Sequence, residues 1–168
     1  MNNNTLLISY KTLTQSSELN ENIDPNIILP LIKEMQEMEL KPVLGTNLFE
    51  KLKAEIEAGT LAGYYKELVS DYCKPVLINA ILVELPFKLN YRFSNVGVVT
   101  RTSEAASRPE YRDLDKLSDM YKGKRVYYAN ELAKYLCNNY SEFPEYNSEN
   151  RSSESPKSDT YHTGIYLG

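Results

Sequence analysis

The chain is predicted to be mainly α: a small bundle of about five helices with a long C-terminal helix and an extended C-terminal tail. Three observations lead there. Apolar residues recur at three- and four-residue spacing through most of residues 25–139. Asp24-Pro25 and Pro109 stand where helices start, and Gly45 and Gly59 stand where they stop. From Tyr140 the composition turns polar, with NSENRSSESPKSD at 147–159, before a short apolar end, YHTGIYLG.

Leu6–Leu13 alternates loosely and reads as a short strand or an extended arm, and 16–22 reads as a polar turn. Asp24 is a capping side chain and Pro25 suits the first helical position. Ile28, Leu31, Ile32, Met35 and Met38 follow at helical spacing, with Pro30 a possible division near the first turn. Lys41-Pro42 is expected to end this helix near Leu40, because the residue before proline is pushed out of the α region. Pro42 and Gly45 together make a structural turn, with Gly45 able to take a positive φ and Thr46 or Asn47 capping the next helix. That second helix carries Leu48, Leu52 and Ile56 on one face and ends at Ala58-Gly59-Thr60.

A third helix over 64–72 turns Tyr65, Leu68, Val69 and Tyr72 inward. A fourth, over 75–93, is the most apolar and is expected at the centre, kinked at Pro86. Glu84, Lys88 and Arg92 lie four apart on its polar edge. SNVGVVTRT at 94–102 is a break, either a loop or a short strand. The last helix, 110–139, carries Leu114, Leu117, Tyr121, Tyr128, Leu132 and Tyr135. At about 1.5 Å per residue this rod is long for so small a domain, so part of it is expected to pack against another subunit. The chain thus divides into an N-terminal arm or short strand (1–22), a helical domain (23–140) and a flexible tail (141–168). The tail ends in a docking strand bearing Tyr161, Ile165, Tyr166 and Leu167.

The 168 residues suffice for one domain with a real core. A net charge of −4 and a pI near 5.2 argue against a protein that mainly coats DNA or anionic membranes. Fourteen tyrosines suit protein contacts, although AT-rich coding accounts for the same richness. The two cysteines share no CxxC spacing and there is one histidine, so a structural zinc site is not expected and a reducing compartment is. The start lacks the basic region and long apolar core of a signal peptide. The most apolar run, 76–85, is about half of the ~20 residues that span a bilayer, so a soluble, cytoplasmically made protein is expected.

Motifs for nucleotides, dinucleotides, zinc proteases and hydrolase elbows do not occur. His162 lies in the tail, where no scaffold orients it as a base. Glu34, Glu37 and Glu39, and then Glu55 and Glu57, cluster on helix faces without the facing geometry of two-carboxylate catalysis. Arg92, Arg101, Arg108, Arg112, Lys122, Lys124 and Arg125 could contact phosphate. Interleaved acids make paired surface charge the better reading. No enzyme activity, cofactor or metal is expected.

The order of these features resembles the head–tail connector, adaptor or head-completion proteins of tailed phages. The versions it is most similar to occur in phages of gut Bacteroidetes, including the crAss-like group. The resemblance runs through Gln36 and Leu40, Pro42-Val43-Leu44-Gly45, Leu48–Leu52, Tyr65, Leu68, Lys74–Leu77, Glu84-Leu85-Pro86 and Asn95-Val96-Gly97-Val98. It covers about 23–99, and the last helix matches in type alone. The resemblance implies a virion protein assembled in the host cytoplasm. It would form a homo-oligomeric, dodecameric ring below the portal protein that extends the DNA channel, lets DNA pass non-specifically and seats tail or other connector proteins. The alternative is a small non-catalytic cytoplasmic phage regulator that binds one protein partner. A weaker third reading is a carboxylate enzyme using Glu34, Glu55 or Glu84.

Removing residues 161–168 is expected to leave folding intact and weaken assembly with neighbours, as read by circular dichroism and sedimentation. Unfolding of the shortened chain would instead place the octapeptide in the core.

Overall fold

A computed structural model describes residues 5–19, 22–95, 97–100 and 110–149. Its elements are α1 (Tyr10–Gln15), α2 (Pro25–Met35), α3 (Lys41–Leu44), α4 (Thr46–Ala58), α5 (Gly63–Glu67), α6 (Lys74–Asn90), β1 (Tyr91–Ser94), β2 (Gly97–Thr100), α7 (Tyr111–Asn138) and α8 (Pro144–Glu149). The fold is mainly α, as the periodicity predicts.

Asp24 caps α2 by accepting from the Asn26 N–H at 2.9 Å, with Pro25 in the first turn. Ile28, Leu31, Ile32 and Met35 are buried, whereas Met38 is exposed. Pro30 sits inside α2 without dividing it.

The expected stop near Leu40 does not occur. The chain passes from α2 through a π turn (Gln36–Leu40) straight into α3, and Lys41 keeps right-handed helical angles. A proline inside a helix lacks a donor, and its ring collides with the carbonyl four residues back. Here the widened turn lies just upstream: the Lys41 N–H donates to the Gln36 carbonyl, five residues back. The added residue shifts the carbonyl row that the ring of Pro42 would otherwise meet.

The same solution occurs again where the sequence LysProValLeu repeats at 74–77. A second π turn (Leu68–Cys73) joins α5 to α6, and the Lys74 N–H donates to the Val69 carbonyl. The third and fourth expected helices are therefore one continuous rod. In both copies Val and Leu are buried: Val43 and Leu44, then Val76 and Leu77.

The chain turns at Gly45 instead, with φ 76° and ψ 159°, and Gly45 rather than Thr46 or Asn47 takes the cap position of α4. Leu48 and Leu52 are buried and Ile56 packs against them. Gly59, with φ 68°, closes α4: the Thr60 N–H reaches the Glu55 carbonyl at 2.9 Å and the Gly59 N–H reaches that of Ile56 at 3.1 Å.

α6 is the centre, with Val76–Val83 and Leu85 all buried, so it is apolar around most of its circumference. It packs most extensively on α7 and also on α2. Asn79 and Asn90 each donate to the carbonyl of the proline four residues back, Pro75 at 2.8 Å and Pro86 at 2.7 Å. The break after α6 is an antiparallel hairpin in the register Tyr91↔Thr100, Arg92↔Val99, Phe93↔Val98 and Ser94↔Gly97.

Both ends of the chain are drawn further into the domain than their composition suggests. The expected strand or arm contains helix α1, and Leu7, Ile8 and Leu13 are core residues. Gln36, fully buried in the first π turn, ties that arm down. Its Oε1 accepts from the Leu7 N–H at 3.1 Å and its Nε2 donates to the Thr5 carbonyl at 3.0 Å.

At the other end, residues 141–149 are not tail. After a short 3₁₀ turn (Tyr140–Glu142), Phe143 and Tyr146 are buried and α8 packs on α4. Two aromatic side chains outweigh the polar residues around them.

Gly45→Ala is expected to cost about 1–3 kcal/mol, since its φ/ψ region is closed to residues with a Cβ. Gly59→Ala, in the left-handed helical well, should cost about 1–2 kcal/mol. Urea unfolding midpoints of the two variants check this order.

Candidate subunit interface

The long helix α7 has two working faces. Leu114, Ser118, Tyr121, Ala129, Leu132 and Leu136 are buried against the body. Flanking that face Leu117, Met120 and Tyr127 are 40%, 46% and 61% exposed, and Lys124 is exposed between them. Positions 117, 120, 124 and 127 step by three, four and three, so they form one stripe along the rod. Lys124 Nζ lies 4.9 Å above the Tyr121 ring, leaving its aliphatic stem along the stripe. Ion pairs lie elsewhere along the helix: Lys116–Asp113 at 4.0 Å, Lys122–Asp119 at 2.8 Å and Lys134–Glu131 at 2.7 Å, with Asp113 and Glu131 continuing the line of the stripe beyond its two ends. An exposed apolar stripe on a helix is a surface of the kind that packs on a second helix.

Beside the stripe an open groove of about 670 Å³ runs between the turn at 15–18, α6 and α7, with Asn79, Leu82, Tyr121, Lys124 and Tyr127 among its walls. A smaller apolar hollow of about 290 Å³ adjoins it, lined by Leu82, Leu85, Leu89, Leu114, Leu117 and Tyr121. Leu117 belongs to both hollow and stripe, so the apolar surface continues from one into the other. Tyr121 donates to Glu18 at 3.5 Å across the groove, and burial, then the Glu18 charge, raises its hydroxyl pKa.

The far end of α7 is held by an aromatic cluster. Tyr72 and Tyr135 stack at 4.0 Å, Phe143 meets the Tyr65 ring edge-on at 5.5 Å, and the Tyr65 hydroxyl donates to Glu145 at 2.8 Å. Burial first, and then the Glu145 carboxylate, pushes the Tyr65 hydroxyl up to about 12. Burial followed by the charge of Glu67 does the same to Tyr135.

Four of the acids singled out in the sequence are matched by cations, and Glu57 accepts from the Thr5 hydroxyl at 3.5 Å. Glu34 meets Lys88 at 3.0 Å, Glu37 meets Lys41 at 3.2 Å and Lys53 at 3.8 Å, Glu39 meets Arg125 at 2.6 Å, and Glu55 meets Lys51 at 3.2 Å. Glu84 is exposed. Cys73 is buried, which pushes its thiol pKa up, and Cys137 is exposed. Among the described residues no three His, Cys, Asp or Glu side chains gather as metal ligands, and no helix is long and apolar enough to cross a membrane.

Of the expected site residues, Pro42 lies inside a helix and Gly45 makes the turn. Tyr161, Ile165, Tyr166 and Leu167 fall outside the described residues, as does His162, which was not expected to act. The stripe itself was missed, because Leu117 reads as inward-facing. Its signal is that apolar residues at 114–121 cover more of the helix than one face can bury.

A family described as "Family of unknown function (DUF6712)" matches residues 40–156. No curated protein and no solved structure matches the chain.

Stability should fall at alkaline pH. Between about 10 and 12 the unfolded chain loses tyrosine protons that folded Tyr65 and Tyr135 keep, so the stability is fully present below that window and declines through it. Unfolding midpoints across the range measure this, and Tyr65→Phe together with Tyr135→Phe should flatten the decline.

Proposed function

The chain belongs to the DUF6712 family of unknown function, and we propose that it is a structural virion protein, a subunit of a head–tail connector ring. Such a ring attaches below the portal, extends the DNA channel and seats the tail. The observation that carries the proposal is the outward stripe Leu117–Met120–Tyr127 on a helix of 28 residues, taken with the sequence resemblance over 23–99.

The stripe supports a ring in a specific way. A rod of roughly 42 Å at 1.5 Å per residue gives a neighbour a long, straight seam. A contact between the stripe and a different surface of the next copy is heterologous, and such contacts close into rings when the rotation permits. A net charge of −4 suits a channel wall past which DNA slides without being held.

Met120→Glu and Tyr127→Glu place charge on the stripe while leaving the buried face of α7 alone. Both variants are expected to stay folded and to lose assembly onto the portal protein, measured by co-sedimentation of the mixed proteins. Undiminished assembly would remove the stripe from the interface, and monomeric binding to a different single protein would favour the regulator reading.

A further inference from the structure

The hairpin Tyr91–Thr100 is the one sheet among the described residues, and it has two strands of four residues each. Two-stranded sheets are marginal in water, and a third strand or a packed face is what steadies them. Contact with α6 lies on the side of β1, which follows that helix directly, while Val98 on β2 is 62% exposed.

The register shows which backbone groups of β2 do not pair with β1. Ser94 pairs with Gly97 across a two-residue loop, so Ser94–Gly97 and Arg92–Val99 are the pairs that exchange hydrogen bonds. The N–H and C=O of Val98 and Thr100 then point away from β1, and no described strand meets them. Among the described residues this edge is open, and it is of the kind that accepts an added strand.

The chain itself carries a segment of suitable length and chemistry. Beyond the last described residue, Glu149, the sequence continues to an apolar end, Tyr161–Gly168, containing Ile165, Tyr166 and Leu167. Reach decides whose hairpin that segment serves. α8 sits at the Tyr135 end of α7, through Tyr65–Glu145 and the Tyr135–Phe143 ring contact. The hairpin sits at the other end, where Phe87 of α6 meets Tyr111 at 6.1 Å. From Tyr111 to Tyr135 the helix spans roughly 36 Å. The 12 steps from Glu149 to Tyr161 stretch to about 43 Å at most. The segment would reach its own hairpin only when drawn out over most of that length, an arrangement of low chain entropy.

We propose that the Val98–Thr100 edge takes the Tyr161–Gly168 segment of a neighbouring copy as its third strand. This rests on the ring reading above and adds to it a strand exchange that links each subunit to the next. The side-to-side seam on α7 and the strand exchange then act on the same neighbour relation, and the tether supplies a high local concentration once the seam has formed.

Amide hydrogen exchange on the full chain tests it. The Val98 and Thr100 amides should gain protection as protein concentration rises, by at least about tenfold where the chain is assembled. A chain ending at Thr160 should lose that protection while the α6 amides stay protected, which shows that it remains folded. Equal exchange at Val98 in the two chains would overturn the proposal, and so would protection independent of concentration, the mark of a segment docked on its own hairpin. Loss of the strand exchange with assembly onto the portal intact would leave the ring reading standing. Concentration-dependent protection in a protein that ignores the portal would sink the ring reading alone.

Discussion

Everything in this fold depends on carrying two helices through proline without breaking them. Lys41-Pro42 and Lys74-Pro75 each follow a π turn that moves the carbonyl row out of the ring's way. Were either helix to stop there, the Val-Leu pair that follows would lose its fixed angle to the core. At the second site the consequence is largest, because Val76 and Leu77 begin the run that makes α6 buried on nearly all sides. The first π turn has a further task. Gln36 within it satisfies the Leu7 N–H and the Thr5 carbonyl, so the N-terminal arm is fastened by the same irregularity that admits Pro42. A buried amide left unpaired there would cost about 1–3 kcal/mol.

With α6 central, α7 is left with one face to bury and another facing out. The aromatic cluster of Tyr65, Tyr72, Tyr135 and Phe143 anchors one end of it, and the Phe87–Tyr111 contact marks the other. Between these anchors the rod is straight enough in sequence terms to present Leu117, Met120 and Tyr127 in line. The exposed ion pairs along it add little stability individually, and Arg125 reaches across to Glu39 in the first π turn.

Local chemistry was legible where one residue decides the outcome. Asp24-Pro25 predicts the start of α2, Gly59 the end of α4, and the apolar run at 76–85 the central helix. It failed where two local rules compete. Proline normally ends a helix, and a π turn is invisible in composition, so Lys41-Pro42 and Lys74-Pro75 read as boundaries when they are continuations. Tertiary packing hid the rest. Phe143 and Tyr146 lie in a polar neighbourhood and are buried all the same, while Leu117 keeps the inward rhythm of α7 and is exposed. The exposed stripe can be seen only after the inward face is known, because an apolar arc wider than the buried face gives a blurred period. Among the expected docking residues Tyr161, Ile165, Tyr166 and Leu167, reach along the chain rather than local pattern carries the argument about their partner.

The connector account stands or falls on where the protein resides and in what number. Quantitative mass spectrometry of purified virions, scaled to the portal protein, measures both. The account predicts a copy number matching that of the portal. Absence from the particle together with abundance in infected cells would contradict it, and would make the chain a regulator that works outside the virion.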